Sequence, residues 1–241
     1  MQRLYRKEYT GEFVVTKRTY ENNLIKEDRE WVPNSITNAH TGHAVVFGNG
    51  QSIRDFDITP IFTHIGGLRG HRRVETYGCN ALHRDHSPDF LVITNRGIAD
   101  EVIESGYADK NVVLTHADSI TEYPGKFHLI PHDEFKDAGS TAMRLACFDG
   151  HKIVYLIGFD GQNLPHENNN AYVGTNCYFA KHELQDDTAW FNNSLEVMNT
   201  YSDVQFVRVT YRPDYPMPEQ WKYARNLRSL SYRDFVLEAD I

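Results

Sequence analysis

The sequence has few of the residues that mark several protein classes. It contains only three cysteines, which are widely spaced and form no C-x-x-C pair, so neither a disulfide framework nor a cysteine-rich zinc site is indicated. Long apolar runs are missing too. The longest, 153–157, is far shorter than the ~20 residues that a membrane-spanning helix needs, and it predicts a buried strand. We therefore expect reduced thiols and no membrane span.

A large basic surface is also lacking, because 25 Lys and Arg residues are outnumbered by 33 Asp and Glu residues, which gives a net charge of −8. Duplex DNA and anionic membranes attract basic patches, so nucleic acid is not an expected partner. Residues 1–8 do not contain the apolar core of a secretory signal, and we expect a cytoplasmic protein.

The length of 241 residues fits one domain with additional segments at its ends. Residues 1–40 predict a β-hairpin arm, with strands at 12–20 and 24–31. Two strands alone are marginally stable in water, so the arm must pack on the main domain or on a second subunit. A homo-oligomer contact and substrate docking both stay open as its role. Residues 213–241 are rich in Tyr, Trp and Arg and predict a tail that wraps the sheet.

Residues 41–212 predict a Rossmann-like α/β domain. Short apolar runs alternate with amphipathic stretches, which indicates βαβ units and an open, mostly parallel sheet with helices on both faces. The predicted strands are 43–47, 74–78, 90–94, 112–115, 127–131, 153–157 and 204–210, and the predicted helices are 98–105, 141–149 and 183–201. The segment at about 161–182 contains glycine, proline and three consecutive asparagines, and it predicts an inserted lid loop.

A glycine turn directly after the first predicted strand is the sharpest local signal. In Gly48-Asn49-Gly50, followed by Ser52, backbone N–H groups can point at a phosphate, because glycine lets the backbone approach it closely. Ile53 stands where the dinucleotide fingerprint has a third glycine, which argues against NAD. A tight turn without a ligand is the alternative interpretation.

Two asparagines lie just beyond other predicted strands. Ligands of open parallel sheets bind outside the carboxyl ends of the strands, so Asn80 and Asn95 are expected to face the same crevice as the glycine turn. An amide donates and accepts hydrogen bonds, which suits a base, a ribose or a sugar hydroxyl. Asparagine is also an ordinary residue of turns that end strands.

The block around the sixth predicted strand carries further polar residues. Gly139-Ser140-Thr141 at the start of a helix can present N–H groups and hydroxyls to an anion, although helix capping explains the same residues. Asp160 follows Gly158 at the end of the strand. It orients a ribose in one interpretation and caps the loop in the other.

The motif 48–53, the pair 79–80 and the block 139–160 together resemble the bacterial sialyltransferases that use a CMP-activated sugar, and the related motility-accessory-factor-type proteins. The resemblance extends over roughly 43–209 and implies a Rossmann-like fold that binds a nucleotide sugar. One departure lies in the turn, where the family has proline and this chain has Gln51.

In that family the turn holds the nucleotide phosphates, asparagines contact the nucleotide and the donor sugar, and a lid histidine is the proposed base. The resemblance transfers these roles to Asn49, Gly50, Asn80, Asn95 and His182. The family's tyrosine two residues after Asp160 is replaced by Gln162, so we expect Tyr172 or Tyr178 of the lid to assist the departing phosphate. Phe135 stands where an arginine is expected.

These observations predict an inverting, metal-independent glycosyltransferase that takes a nucleotide sugar and an unidentified acceptor and needs no cofactor. None of the histidine clusters has the spacing of a zinc site. Two alternatives stay open. An enzyme similar to archaeal pterin pyrophosphokinases would hold Mg²⁺ with Asp160 and the pair Asp186 and Asp187, whereas a nucleotide-binding or assembly module would bind without turnover. The residues predicted to bind substrate are Gly48, Asn49, Gly50, Ser52, Asn80, Asn95, Gly139, Ser140, Thr141, Gly158, Asp160 and Gln162.

Overall fold

The computed structural model describes residues 2–7, 12–21, 24–33, 42–63, 74–130, 136–160, 169–178, 180, 188–210, 216–239 and 241. Its first strands form an antiparallel sheet in the order β1 (Gln2–Lys7), β2 (Glu12–Glu21) and β3 (Leu24–Pro33). The pairing of β2 with β3 is the hairpin that the sequence predicts, and β1 is an additional strand.

The second sheet contains eight strands that all run parallel: β4 (His43–Phe47), β5 (Glu75–Cys79), β6 (Phe90–Val92), β7 (Val112–Thr115), β8 (His128–Leu129), β9 (Ile153–Ile157), β10 (Gln205–Thr210) and β11 (Leu227–Ser231). Their order across the sheet is β11-β10-β9-β4-β5-β6-β7-β8. The predicted open, parallel α/β fold is confirmed.

The central strands β4 and β9 are almost entirely apolar because both faces of the sheet are covered. Successive side chains of a strand point to opposite faces. In β4, Val45 and Phe47 belong to one hydrophobic core, while Ala44 and Val46 belong to a second core on the other face. Strands buried on both faces show continuous apolar runs rather than alternation, which is the pattern that the sequence contains.

Six α-helices accompany the sheet in the described residues: α1 (Thr59–Thr63), α2 (Arg96–Glu104), α3 (Ala117–Glu122), α4 (Ala138–Phe148), α5 (Thr188–Thr200) and α6 (Tyr232–Ala239). Residues of α2 and α6 contribute to the first core, and residues of α4 and α5 to the second, so helices cover both faces. The predicted tail 213–241 supplies an edge strand, β11, and the helix α6 that packs beside it. No helix in the described ranges combines the length and the apolar character that a membrane span requires.

The order of the strands creates a switch point next to β4. After β4 the chain builds β5, β6, β7 and β8 toward one edge, and it then returns to place β9 on the other side of β4. The connections that follow β4 and β9 therefore lead toward opposite edges of the sheet. Ligands of open α/β sheets bind at such a point.

Candidate functional site

A cavity of about 830 Å³ lies along the carboxyl ends of the sheet. Residues at the ends of five adjacent strands line it, namely Gly158 after β9, Gly48 after β4, Cys79 at the end of β5, Thr94 after β6 and His116 after β7. Neighbouring strands lie ~4.8 Å apart, so this row of strand ends is about 19 Å long. The switch point is part of the row.

Two glycines allow the loops after β4 and β9 to touch through their backbones. The N–H of Gly48 donates to the carbonyl of Ile157 at 2.8 Å, and the N–H of Gly50 donates to the carbonyl of Gly158 at 2.9 Å. A Cβ atom on Gly48 would lie 2.4 Å from the carbonyl oxygen of Gly158. The glycines of the turn are therefore required for contact between two loops of the protein.

The contact between the two loops reduces the number of backbone N–H groups of the turn that can bind a phosphate. The N–H of Gln51 donates to Asn169 Oδ1 at 2.9 Å, and the N–H of Ser52 donates to Asp160 Oδ2 at 2.8 Å. Together with the two glycine N–H groups, most donors of the predicted phosphate cradle are thus used inside the protein. Asn49 lines the cavity. Its backbone N–H is the one N–H group of the turn 48–52 that donates to no other described residue.

Ser52 and Asp160 bind each other at the cavity, which Asp160 lines and Ser52 does not. Ser52 is fully buried, and its hydroxyl donates to Asp160 Oδ1 while its N–H donates to Oδ2. Burial raises the pKa of Asp160 above its ordinary value, against the lowering effect of the hydrogen bonds from Ser52 and of the Arg208 charge. The predicted phosphate ligand Ser52 and the predicted ribose ligand Asp160 therefore hold the two loops together.

Arg208 does not line the cavity but supports the loop after β9, a role that was not predicted from the sequence. It lies in β10 with only 2 % of its surface exposed. Its Nη2 donates to the carbonyl of Asp160 at 2.8 Å, and its Nε donates to the carbonyl of Phe159 at 3.2 Å. The side chain thus fixes the loop after β9 from below. The sequence does contain a sign of this role, because an arginine stands between apolar residues of a predicted strand. A charge buried there needs hydrogen-bond acceptors such as backbone carbonyls.

Tyr178 lines the cavity and contacts the glycine turn. Its hydroxyl oxygen accepts hydrogen bonds from Asn49 Nδ2 at 2.7 Å and from the N–H of Ala81 at 3.3 Å. With two bonds accepted, its own O–H remains as the group to donate. Burial raises the pKa of Tyr178, which keeps the hydroxyl protonated. Among the described residues both hydrogen bonds of the Tyr178 hydroxyl are accepted ones, so its proton is the part that a ligand at the switch point can use.

Tyr172, the other tyrosine named from the sequence, does not itself line the cavity. It is 3 % exposed, and its hydroxyl donates to Asp85 Oδ2 at 3.0 Å. The guanidinium groups of Arg54 and Arg84 each lie 5.6 Å from the centre of its ring. The rings of the two tyrosines lie 5.9 Å apart, but only Tyr178 lines the cavity. Tyr172 anchors the segment 169–178 on the domain.

Six asparagines line the cavity: Asn49, Asn80, Asn95, Asn169, Asn170 and Asn193. The Oδ1 atoms of Asn80, Asn95 and Asn170 each accept a backbone N–H, at 3.2, 2.9 and 2.9 Å. Because the oxygen of each amide is engaged, its NH₂ group is the part that can donate to a ligand. Asn95 also caps α2, and Asn80 adopts a left-handed backbone with φ of +45°. Both expectations for Asn80 and Asn95, ligand contact and turn formation, fit this geometry.

The start of α4 differs from the expectation of an anion site. Asp137 caps the helix and accepts hydrogen bonds from the N–H and the hydroxyl of Ser140, at 2.8 and 2.7 Å. The hydroxyl of Thr141 donates to the carbonyl of Asp137 at 2.8 Å. A carboxylate already occupies the positive end of the helix, so Ser140 and Thr141 serve the cap. Gly139 alone of the three predicted residues lines the cavity.

Aromatic rings form the wall of the cavity beyond β9. Phe159 and Phe191 pack around Trp221, with ring centres 6.3 and 6.1 Å from that of Trp221. Trp190, in the first turn of α5, also lines the cavity and is 40 % exposed. An exposed indole in a concave site offers a flat surface on which a ring can stack.

The charged side chains of the cavity wall are mostly paired. Arg96 Nη2 lies 2.5 Å from Glu122 Oε1, and Lys136 forms an ion pair with Glu196. Asp118 on α3 is exposed at the wall. The described wall therefore contains more carboxylates than cations, and its neutral amides are the main donors to a ligand.

Two predicted residues, His182 and Gln162, lie outside the described residues. In the part of the chain that the structure describes, no three His, Cys, Asp or Glu side chains converge in a group that could hold a metal ion. Comparison of the sequence with protein-family models, with curated proteins and with solved structures finds no match. The resemblance to CMP-sugar-dependent sialyltransferases therefore rests only on the motifs 48–53, 79–80 and 139–160.

Proposed function

We propose that this chain is a glycosyltransferase that binds a nucleotide sugar, similar to a CMP sugar, in the switch-point cavity and transfers the sugar with inversion. The observation that carries the proposal is the composition of the cavity wall. Amide donors and exposed or partly exposed aromatic rings share one cavity at the place where α/β sheets bind nucleotides. Rings suit stacking, and amides suit the many oxygen atoms of sugars and phosphates.

The proposed reaction is a single displacement. The acceptor hydroxyl oxygen forms a bond with the anomeric carbon, the bond from that carbon to the phosphate oxygen breaks, and the nucleotide leaves with the electron pair. The acceptor proton passes to a base, for which the resemblance names His182. Attack opposite the leaving group inverts the anomeric carbon.

Tyr178 is the residue that we assign to the departing phosphate. Its hydroxyl is oriented by two accepted hydrogen bonds and stays protonated, so it can donate to a phosphate oxygen as negative charge develops there. Asn49 acts through Tyr178, because its Nδ2 group fixes the position of the phenol oxygen. The backbone N–H of Asn49 is a second donor at the same place.

The contacts of Asp160 favour this proposal over the Mg²⁺-dependent alternative. A magnesium ligand must offer a carboxylate oxygen to the ion. Both oxygens of Asp160 accept hydrogen bonds from Ser52, and the side chain is buried with 3 % exposure. A metal at this carboxylate would have to displace Ser52 from the contact that joins the two loops.

A thermal-shift panel followed by a transfer assay tests the proposal. CMP, UDP, GDP, ATP and NAD are each added with and without Mg²⁺, and we expect a nucleoside phosphate to raise the melting temperature equally in both conditions. The matching nucleotide sugar is then incubated with acceptor sugars, and NMR of the anomeric proton reports the configuration of the product. Stabilisation that requires Mg²⁺ contradicts the proposal, and binding without turnover of any donor supports the non-catalytic module instead.

A further inference from the structure

We propose that the far end of the cavity, beyond β6 and β7, is a separate subsite for an uncharged sugar acceptor. The inference rests on the proposed function, because it assigns the second substrate of the same site. The proposed subsite consists of four residues that line the cavity: Asn95, Arg96, Asp118 and Glu122.

The length of the row of strand ends is the first reason. The aromatic wall and Tyr178 lie at the β9, β4 and β5 end, while Asn95 follows β6, and Asp118 and Glu122 belong to the helix after β7. Four strand spacings of ~4.8 Å separate β9 from β7, which makes about 19 Å. A donor that stacks on the aromatic wall and reaches the switch point leaves the β6 and β7 end available for a second molecule.

The chemistry of this end is the second reason. Asn95 has its oxygen engaged by the cap of α2 and keeps its NH₂ group as a donor, and Arg96 supplies further donors. Asp118 and Glu122 supply acceptors. Donors and acceptors close together match the adjacent hydroxyls of a sugar, each of which both donates and accepts.

The charge of this end selects against an anionic acceptor. Arg96 is paired with Glu122 at 2.5 Å, so the carboxylate of Asp118 is the charge that this pairing does not compensate. Asp118 is exposed at the rim of the cavity. A ligand with its own carboxylate would meet like charge there, whereas a neutral sugar would gain a strong acceptor for its hydroxyls.

Saturation-transfer NMR with two matched probes tests this assignment. Methyl β-glucoside and methyl β-glucuronide differ only in a hydroxymethyl group against a carboxylate, and each is titrated with and without CMP. We expect the glucoside to bind and the glucuronide to bind at least about threefold more weakly. In Asp118→Asn, the glucoside should bind about tenfold more weakly, and the difference between the two probes should shrink.

Glu104→Gln is the control, because it removes the same charge from the last turn of α2, about 12 Å along the helix from Arg96, and its side chain is exposed. Its binding of both probes should equal that of the unchanged protein. Lack of binding by either probe, equal binding of the two, or an Asp118→Asn variant that behaves like Glu104→Gln overturns the assignment. A failure of the nucleotide panel with normal probe results contradicts the proposed function and leaves the sugar subsite supported.

Discussion

The carboxylate of Asp160 accepts two hydrogen bonds from Ser52, one from the backbone N–H and one from the hydroxyl, and both residues are buried. This pair joins the turn after β4 to the loop after β9. The two strands carry the switch point, so the shape of the cavity depends on the pair even though neither side chain is proposed to touch a ligand.

Replacement of Asp160 separates its hydrogen bonds from its charge. Asp160→Ala leaves the buried N–H and hydroxyl of Ser52 without acceptors, and we expect a loss of about 3 kcal/mol in the free energy of unfolding. Asp160→Asn keeps an oxygen for the N–H and turns an NH₂ group toward the hydroxyl oxygen, which can accept. We expect it to lose no more than about 1 kcal/mol. Urea denaturation measures both variants, and equal losses would contradict the role given to this pair.

The raised pKa of Asp160 also predicts a dependence on pH. The folded state holds this proton more tightly than the unfolded state, whose aspartate titrates near 3.8. Between 3.8 and the raised value the folded state binds more protons, so the contribution of Asp160 to stability falls as pH rises. The difference in unfolding free energy between the unchanged protein and Asp160→Asn should therefore decrease from about pH 3.5 to about pH 7. A difference that increases over this range would mean that the pKa is lowered.

The two tyrosines of the segment 169–178 are expected to differ in activity. Tyr178→Phe removes the proposed donor to the leaving phosphate, and kcat should fall about a hundredfold. Tyr172→Phe removes a hydrogen bond to Asp85 outside the cavity and should leave kcat within about threefold. Each change should cost about 1 kcal/mol of stability, so unfolding curves serve as the control for folding. The reverse order of kcat would assign the donor to Tyr172.

Gly48→Ala tests the backbone contact between the two loops. The new Cβ would lie 2.4 Å from the carbonyl oxygen of Gly158, and we expect a loss of about 3 kcal/mol because backbone cannot move aside easily. Gly139→Ala is the matched control, since its Cβ would have no neighbour nearer than 3.3 Å. It should change stability by less than about 1 kcal/mol. Thermal unfolding of both variants gives the comparison, and a Gly48→Ala variant as stable as Gly139→Ala contradicts the contact.

Asn80→Asp tests the donor role of the cavity amides. The aspartate keeps an oxygen to accept the N–H of Thr94, but it replaces the NH₂ donor by negative charge. Affinity for the nucleotide found by the thermal-shift panel should fall at least about tenfold, with little change in stability. Asn192→Asp makes the same change at an exposed position of α5 that does not line the cavity, and calorimetric titration should detect no difference there. Unchanged affinity in Asn80→Asp would remove this amide from the site.

The sequence predicts the parallel sheet well because its central strands are buried on both faces. Strands 112–115 and 153–157 have the predicted bounds, since apolar runs flanked by polar residues define them clearly. The edge strand β11 was not predicted. Its sequence, Leu-Arg-Ser-Leu-Ser, is half-exposed and shows no continuous apolar run. An edge strand has a partner on one side only, so its residues carry a weaker signal.

The location of the site could be predicted from the sequence, whereas the partners of its polar groups could not. Asn49, Asn80 and Asn95 line one cavity, as expected for residues that follow parallel strands. The ligand roles predicted for Ser52 and Ser140 required hydroxyls that face a ligand, while helix capping was the alternative interpretation of Ser140 and is what the structure shows. Each hydroxyl instead donates to an aspartate. The partner of Ser52 is distant in the sequence, so the pairing depends on the fold, whereas the partner of Ser140 is the residue that caps the same helix.

Ser52 and Asp160 are 108 positions apart along the chain. β4 cannot gain its partner β9 until the whole of β5 to β8 has been synthesised and a very long loop has closed, and parallel pairing over such separations is slow. The junction of β4 and β9, on which the cavity depends, can therefore form only late in folding. A molecule that binds only the joined sheet would stabilise this late junction by mass action.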